Sequence, residues 1–301
     1  MIILNEYFTE VPNEFIKGDD YKMTTKELAV ITIIMHNMTN RNIVIFNLKW
    51  LYENLGISQN NTYNKREVKN ILNDFIKYDI FKFRKNIYID SEEIKDISSI
   101  NVNELIFGEF IFDDNNNKGF TIITDEELLK IKDYSNNNSI DEYGLLTTCL
   151  YILSCINMNK ESEDFGLCFP SIHRISEDLE QSEITTLKYI NILKELKILI
   201  FDYSGFKVLS DGKIRNDKMF YARYNDDNIL IERLSKERKE KGFIKISKKL
   251  KDKSNFKRSL KQKINILEKT KDLTLTDKNK LELFKEKYKQ LKTEKQEEQS
   301  G

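Results

Sequence analysis

The chain is poor in the residues that cross-link a fold or bind metals, with 3 cysteines and 2 histidines among 301 residues. Cys149, Cys155 and Cys168 are odd in number, stand in apolar sequence and form no C-x₂-C pair. They predict core thiols in a reducing compartment and exclude a disulfide framework or a zinc site. The two histidines, His36 and His173, are far apart in the chain, which argues against a metal-assisted nicking site with clustered histidines.

Long apolar runs and phosphate-binding loops are also missing. The longest clear apolar run, Leu28–Met35, is far shorter than the ~18 residues that a membrane-spanning helix needs. The first residues lack the basic start and the cleavage site of a secretory signal. The only Gly-Lys pair, Gly212-Lys213, has neither the upstream glycine nor the following Ser or Thr of a nucleotide-binding loop. We therefore expect a cytoplasmic protein without membrane contact, enzymatic activity or cofactor.

Charge is balanced overall but not along the chain. The sequence has 49 basic and 49 acidic residues, and 23 of the basic and 12 of the acidic ones lie in residues 232–301. That segment carries a net charge of +11 and residues 1–231 carry −11. A basic extension on an acidic body predicts a polyanionic partner for the extension. Lysine outnumbers arginine 40 to 9, and isoleucine and asparagine are abundant, which is typical of a protein encoded by A·T-rich DNA.

The most informative stretch, residues 166–205, predicts the order strand, helix, turn, helix, strand. Cys168-Phe169 is apolar and extended, and Pro170-Ser171 predicts the start of the first helix. Ser182 is placed to cap the second helix. Residues at helical spacing predict one buried side for each helix: Ile172, Ile175 and Leu179 in the first, and Thr186, Ile190, Leu193 and Leu196 in the second. A buried strand over residues 198–201 and a β wing follow.

The same order of elements occurs earlier in the chain, around a helix predicted for residues 65–78. Leu55 matches Leu179 at an offset of 124 residues, and FIKYDIFKF from Phe75 matches LKELKILIF from Leu193 at an offset of 118. The longer polar turn of the first copy accounts for the difference. We therefore predict two tandem repeats of this pattern.

The rest of the chain gives coarser expectations. Residues 105–112 and 119–123 have strand patterns separated by an Asp- and Asn-rich turn, which predicts a β-hairpin. Residues 206–208 and 220–224 predict the strands of the second wing. In the basic extension, four residues recur at helical spacing, namely Leu281, Phe284, Tyr288 and Leu291. That spacing is compatible with a docked or partly disordered helix and with the seam of a homodimer.

The residues CFPSIHRISEDL, followed by LKYINILKELKILI, resemble the winged-helix DNA-binding domains of replication proteins from Gram-positive plasmids and phages, including the N-terminal domain of DnaD-type primosomal proteins. The resemblance covers residues 7–90 and 105–225, and it departs from the common pattern at Lys197, where many such helices end in glycine. It implies a replication initiator or primosome-type protein that binds an origin and recruits host replication proteins. A winged-helix transcriptional regulator and a protein-binding scaffold without a DNA role are the alternatives.

Together these patterns predict a mainly α-helical α+β chain with two tandem winged helix-turn-helix domains and small β wings. The predicted domains are residues 1–95, residues 96–231 including the hairpin, and a basic, helical or partly disordered tail of residues 232–301. We expect the second helix of each helix-turn-helix to contact double-stranded DNA, through Lys65, Arg66, Lys69, Asn70, Ser182, Thr185, Lys188 and Asn191. The wings are expected to contact phosphate, through Arg84, Lys85, Lys207, Lys213 and Arg215.

Overall fold

The structure, a computed structural model, describes residues 8–18, 21–39, 41–58, 60–86, 92–112, 119–208, 214–216, 218–243, 259, 261–265, 268–269, 278 and 280–289, with the backbone alone at 207–208 and 214–216. It is a mixed fold of α-helices and small antiparallel sheets. The chain divides into two compact units, which are Met1–Tyr203 with Lys218–Lys236, and Ser204–Asp217 with Glu237–Gly301.

The first repeat lies in the first unit and has six elements: α2 (Thr25–His36), β2 (Ile43–Asn47), α3 (Leu48–Asn54), α4 (Thr62–Lys77), β3 (Phe81–Arg84) and β4 (Leu105–Phe110). Asn47 and Asn61 cap α3 and α4, because each side-chain oxygen accepts a backbone N–H of the first turn. The strands form an antiparallel sheet in the order β2-β4-β3. Gly108 is required at its centre, since a Cβ there would lie 2.9 Å from both Val44 and Phe83.

The second repeat, also in the first unit, has α6 (Glu142–Cys155), the bridge residue Cys168, α7 (Ile172–Asp178), α8 (Glu183–Glu195), β6 (Leu199–Tyr203) and β9 (Met219–Arg223). Cys168 exchanges two backbone hydrogen bonds with Tyr221 of β9, at 3.0 and 2.8 Å. β9 also pairs with β6. The spatial order is therefore Cys168-β9-β6, with the last segment in the chain at the centre. The order β2-β4-β3 of the first repeat has the same arrangement.

The predicted hairpin of residues 105–112 and 119–123 is wrong. β4 pairs with β2 and β3, whereas β5 (Phe120–Thr124) pairs with β1 (Phe8–Pro12) at the start of the chain. Local sequence could not show this, because both strands find partners far away in the chain. β4 is therefore the last strand of the first repeat, whereas the prediction placed it in the second domain. Two further helices flank this region, α1 (Asn13–Lys17) and α5 (Asp125–Asn138).

One continuous apolar core runs through both repeats. Helix α6 contacts α1, α2, α5 and α8, and all its residues from Gly144 to Ser154 are buried. Each fully buried leucine or isoleucine of this kind contributes about 1.5–3 kcal/mol of hydrophobic stabilisation. Gly144 permits the close approach of α8, since a Cβ there would lie 2.7 Å from the ring of Tyr189. The two repeats therefore share one core and are not two independently folded domains.

Helix α9 (Asp227–Lys241) begins inside the first unit. Its Leu230 and Leu234 are buried in a small apolar cluster with Leu167 and Phe220. The predicted tail begins at residue 232, but this packing shows that Leu234 is part of the body's structure. A truncation that keeps this cluster must therefore end beyond Leu234.

The second unit contains β7 (Phe206–Val208) paired with β8 (Ile214–Asn216). Residues 261–265 and 280–289 are helical, and the Lys263 ammonium lies 5.5 Å from the centre of the Phe284 ring. On the second helix Leu281, Phe284 and Tyr288 are half-buried, and Leu291 lies outside the described residues. None of the described helices combines the length and the apolar character that crossing a membrane requires.

Candidate nucleic-acid interface

Helices α7 and α8 are fixed by side-chain caps at their N-termini. Ser171 Oγ accepts the backbone N–H of Arg174 at 3.1 Å, and Ser182 Oγ accepts that of Thr185 at the same distance. The hydroxyls of Ser182 and Thr185 also lie 2.8 Å apart. Both predicted contact residues at this end of α8 are therefore engaged in starting the helix.

The turn between these helices has a left-handed residue, Glu180, with a φ of 53°. Its N–H donates to the carbonyl of Glu177 at 3.2 Å. In the first repeat Gly56, 124 residues earlier, has a φ of 64° and donates to Glu53 at 3.2 Å. The offset inferred from Leu55 and Leu179 is thus confirmed in the backbone of the turn.

One stripe of α8 is exposed along the length of the helix, and it consists of Ile184, Leu187, Lys188, Asn191, Lys194 and Glu195. Among the described residues, Lys188 has no hydrogen-bond or ion-pair partner, whereas Asn191 Nδ2 donates to the carbonyl of Leu187 at 2.8 Å. Ile184 is 84% exposed and Leu187 is 40% exposed. The exposure of these two residues could have been predicted, because they do not lie on the helical face of the buried Thr186, Ile190 and Leu193. Our prediction did not include them.

The corresponding stripe of α4 has a more polar and basic character. Tyr63, Arg66, Asn70 and Lys77 are exposed on it. Among the described residues, neither Arg66 nor Asn70 is bound to another side chain or to the backbone. Arginine and asparagine are the residue types that form bidentate hydrogen bonds with guanine and adenine edges.

One side of α4 is covered by the segment 96–100 of the same chain, which includes a 3-10 helix (Ile97–Ser99). Lys69 Nζ donates to the carbonyls of Ser98 and Ile100 at 2.9 and 3.1 Å. Asn73 accepts the Ile97 N–H at 2.8 Å and donates to Asp96 Oδ1 at 2.9 Å. The predicted contact residue Lys69 is therefore held by its own chain in this structure.

These hydrogen bonds also affect the Asp96 carboxyl. The backbone N–H and the hydroxyl of Ser98, the Asn73 amide and, more weakly, the Lys69 charge lower its pKa. The segment 96–100 is thus attached to α4 by a carboxylate as well as by backbone groups. Lys65, the remaining predicted residue at the start of α4, lies with its ammonium 5.5 Å from the centre of the Tyr52 ring.

The predicted wing residues of the first repeat face acidic partners. Arg84, whose side chain is 18% exposed, lies 3.9 Å from Glu93 and 3.7 Å from Glu109. Lys85 Nζ lies 3.2 Å from Glu92. A phosphate would have to compete with these carboxylates for both cations. For the second wing, Lys213 and the side chains of Lys207 and Arg215 lie outside the described residues.

Carboxylates surround the N-terminal end of α8. His173 lies between Glu177 and Glu183, at 3.4 and 3.1 Å, and Glu180 is exposed in the turn. Negative charge at a helix N-terminus stabilises the helix but repels phosphate. The exposed lysines of the α8 stripe, Lys188 and Lys194, lie beyond this acidic end.

No comparison with family models, curated proteins or solved structures finds a match. Cys149 and Cys168 are buried, and burial raises the pKa of both thiols, which keeps them protonated rather than nucleophilic. In the part of the chain that the structure describes, no three His, Cys, Asp or Glu side chains come together as a metal site.

Proposed function

We propose that the chain is a sequence-specific double-stranded DNA-binding protein built from two winged-helix repeats. The observation that carries this proposal is the repeated strand order, β2-β4-β3 and Cys168-β9-β6, with an exposed third helix in each repeat. In a helix-turn-helix, the second helix of the motif enters the major groove. Here those helices are α4 and α8, and each presents an exposed stripe with hydrogen-bonding side chains.

The proposal gives the predicted contact residues unequal roles. Arg66 and Asn70 on α4, and Lys188 on α8, are exposed and have no partner in the part of the chain that the structure describes, so the proposal assigns them to base edges. Ser182 and Thr185 support the start of α8, and Lys69 supports the segment 96–100. Phosphate contacts from the wings and from the basic residues beyond α9 complete the proposal.

We further propose a role in replication initiation, of the plasmid or phage type that the sequence resembles, with host replication proteins as partners. Two DNA-contacting helices, α4 and α8, in one folded unit suit an extended or repeated binding site such as an origin. The same surface would serve a transcriptional regulator at an operator. The proposal includes a cytoplasmic location and assigns no enzymatic activity, metal or cofactor.

A protein-binding scaffold is the second candidate, and two observations favour it. The apolar side chains of Ile184 and Leu187 are exposed, and the neighbouring Glu177, Glu180 and Glu183 would repel phosphate. A surface of this kind resembles the centre of a protein–protein interface more than a phosphate-contacting face. Selection from a random DNA library separates the two candidates.

The test is repeated selection of a library of random 30-base-pair duplexes with the full-length protein, followed by sequencing. The proposal predicts one enriched motif, and it predicts that Arg66→Ala with Asn70→Ala weakens binding to that motif. Lys160→Ala, at an exposed lysine of the loop before α7, is the matched control and should bind as the wild type does. An unenriched library would contradict specific DNA binding and favour the scaffold.

A further inference from the structure

The exposed apolar pair on α8 has no counterpart on α4. At the offset of 118 residues, Ile184 and Leu187 correspond to Arg66 and Lys69. Covering an exposed isoleucine or leucine removes apolar surface from water, so such residues gain from an apolar partner. The pair lies on the same stripe as Lys188 and Asn191, at the N-terminal half of the helix.

In the major groove the only apolar group on a base edge is the C5 methyl of thymine. We propose that Ile184 and Leu187 read thymine through these methyl groups, so that α8 binds an A·T-rich part of the target. This inference rests on the proposed function, because it requires α8 to lie in the groove. It specifies the DNA class that the helix prefers and the atoms that it recognises.

The charges near α8 restrict how the helix could lie in the groove. Glu177 and Glu183 face His173, and Lys188 is the cation next to the apolar pair. The acidic turn thereby keeps phosphate away from the N-terminal end of α8, while Lys188 remains placed to contact a base edge beside the apolar pair. The strong excess of lysine over arginine, 40 to 9, indicates that the encoding DNA is itself rich in A·T pairs. A thymine-reading helix suits a binding site in such DNA.

Uracil provides a direct probe, because it pairs as thymine does and lacks only the methyl group. The duplex enriched by selection is synthesised once with thymine and once with deoxyuridine at every thymine position, and binding of the full-length protein is measured by fluorescence anisotropy. Each lost methyl contact should weaken binding roughly fourfold, and two contacts about fifteenfold. Ile184→Ser with Leu187→Ser should bind the thymine and uracil duplexes equally well.

Ile231→Ser is the matched control, since Ile231 is an exposed isoleucine on a different helix, α9, and it should keep the full preference for thymine. Equal binding of both duplexes by the wild type would overturn the inference while leaving DNA binding intact. If no duplex is enriched at all, the proposed function fails and the inference fails with it. A wild-type dimer that Ile184→Ser converts to a monomer in sedimentation, with the thymine preference unchanged, would assign the pair to a second copy and also overturn the inference.

Discussion

Asp79 and Lys197 have the same left-handed backbone conformation, with φ of 53° and 57°, although 118 residues separate them. Each ends the exposed helix of its repeat, and each N–H donates to the carbonyl three residues earlier, at 3.2 Å from Asp79 and 3.1 Å from Lys197. The following residues, Ile80 and Ile198, donate to the carbonyls five residues earlier at 2.9 and 3.0 Å. The turn from helix to strand is therefore the same structure in both repeats.

Because Lys197 has a positive φ, we predict that the protein is more stable with glycine than with lysine at position 197. A side chain with a Cβ is strained at positive φ, and the relief outweighs the greater flexibility of glycine in the unfolded chain. We expect Lys197→Gly to raise the free energy of unfolding by about 0.5–1 kcal/mol in urea titrations. Lys197→Ala keeps the Cβ and should give no such gain. Equal stability of the glycine and alanine variants would show that the conformation is not strained.

Asn70 and Asn73 on α4 should have separate effects on DNA binding and on stability. Asn73→Ala leaves the N–H of Ile97 without its acceptor and should lower the free energy of unfolding by about 1–2 kcal/mol. Asn70→Ala removes an exposed side chain and should change stability by less than about 0.5 kcal/mol while weakening binding to the selected duplex. Urea titration and anisotropy on both variants test this. A destabilised Asn70→Ala variant would contradict the assignment of Asn70 to DNA contact alone.

The Asp96 carboxyl predicts a pH dependence of stability. Its pKa is lowered in the folded state by hydrogen bonds from Ser98 and Asn73, and by Lys69. The resulting stabilisation is present above the unfolded pKa of about 3.9 and is lost as the pH falls through the lower folded pKa. Wild type should therefore be more stable than Asp96→Asn at pH 7, and the difference should shrink in urea titrations toward pH 3. A difference that is independent of pH would contradict this account.

The basic residues beyond α9 should govern binding that is independent of sequence. Ending the chain after Gly242 removes 18 basic and 9 acidic residues and leaves Leu230 and Leu234 in place. Affinity for random duplex should fall, and the slope of log K against log salt should flatten by ~0.9 for each lost phosphate contact. The preference for the selected duplex should persist. A truncated protein that loses this preference would place the specific contacts in the tail.

The sequence predicted the helices of both repeats and the two offsets, because amphipathic spacing and capping residues act locally. It failed at β4 and β5, since strand pairing depends on partners as distant as Phe8–Pro12. For the site, the exposed positions of Arg66, Asn70 and Lys188 follow from helical periodicity. The attachment of Lys69 to residues 98 and 100, and of Arg84 to Glu93 and Glu109, depends on tertiary contacts that no local pattern shows.

The most direct test of the account measures sequence preference in a variant that lacks the three side chains of α4 and α8 assigned to base edges. The variant combines Arg66→Ala, Asn70→Ala and Lys188→Ala, and its affinities for the selected and a scrambled duplex are compared with those of wild type at one salt concentration. Each base contact should contribute about 1–3 kcal/mol of discrimination, so we expect the preference to fall sharply, to what the thymine contacts of Ile184 and Leu187 supply, while binding to scrambled DNA weakens only slightly. An unchanged ratio of the two affinities would contradict recognition of DNA by α4 and α8.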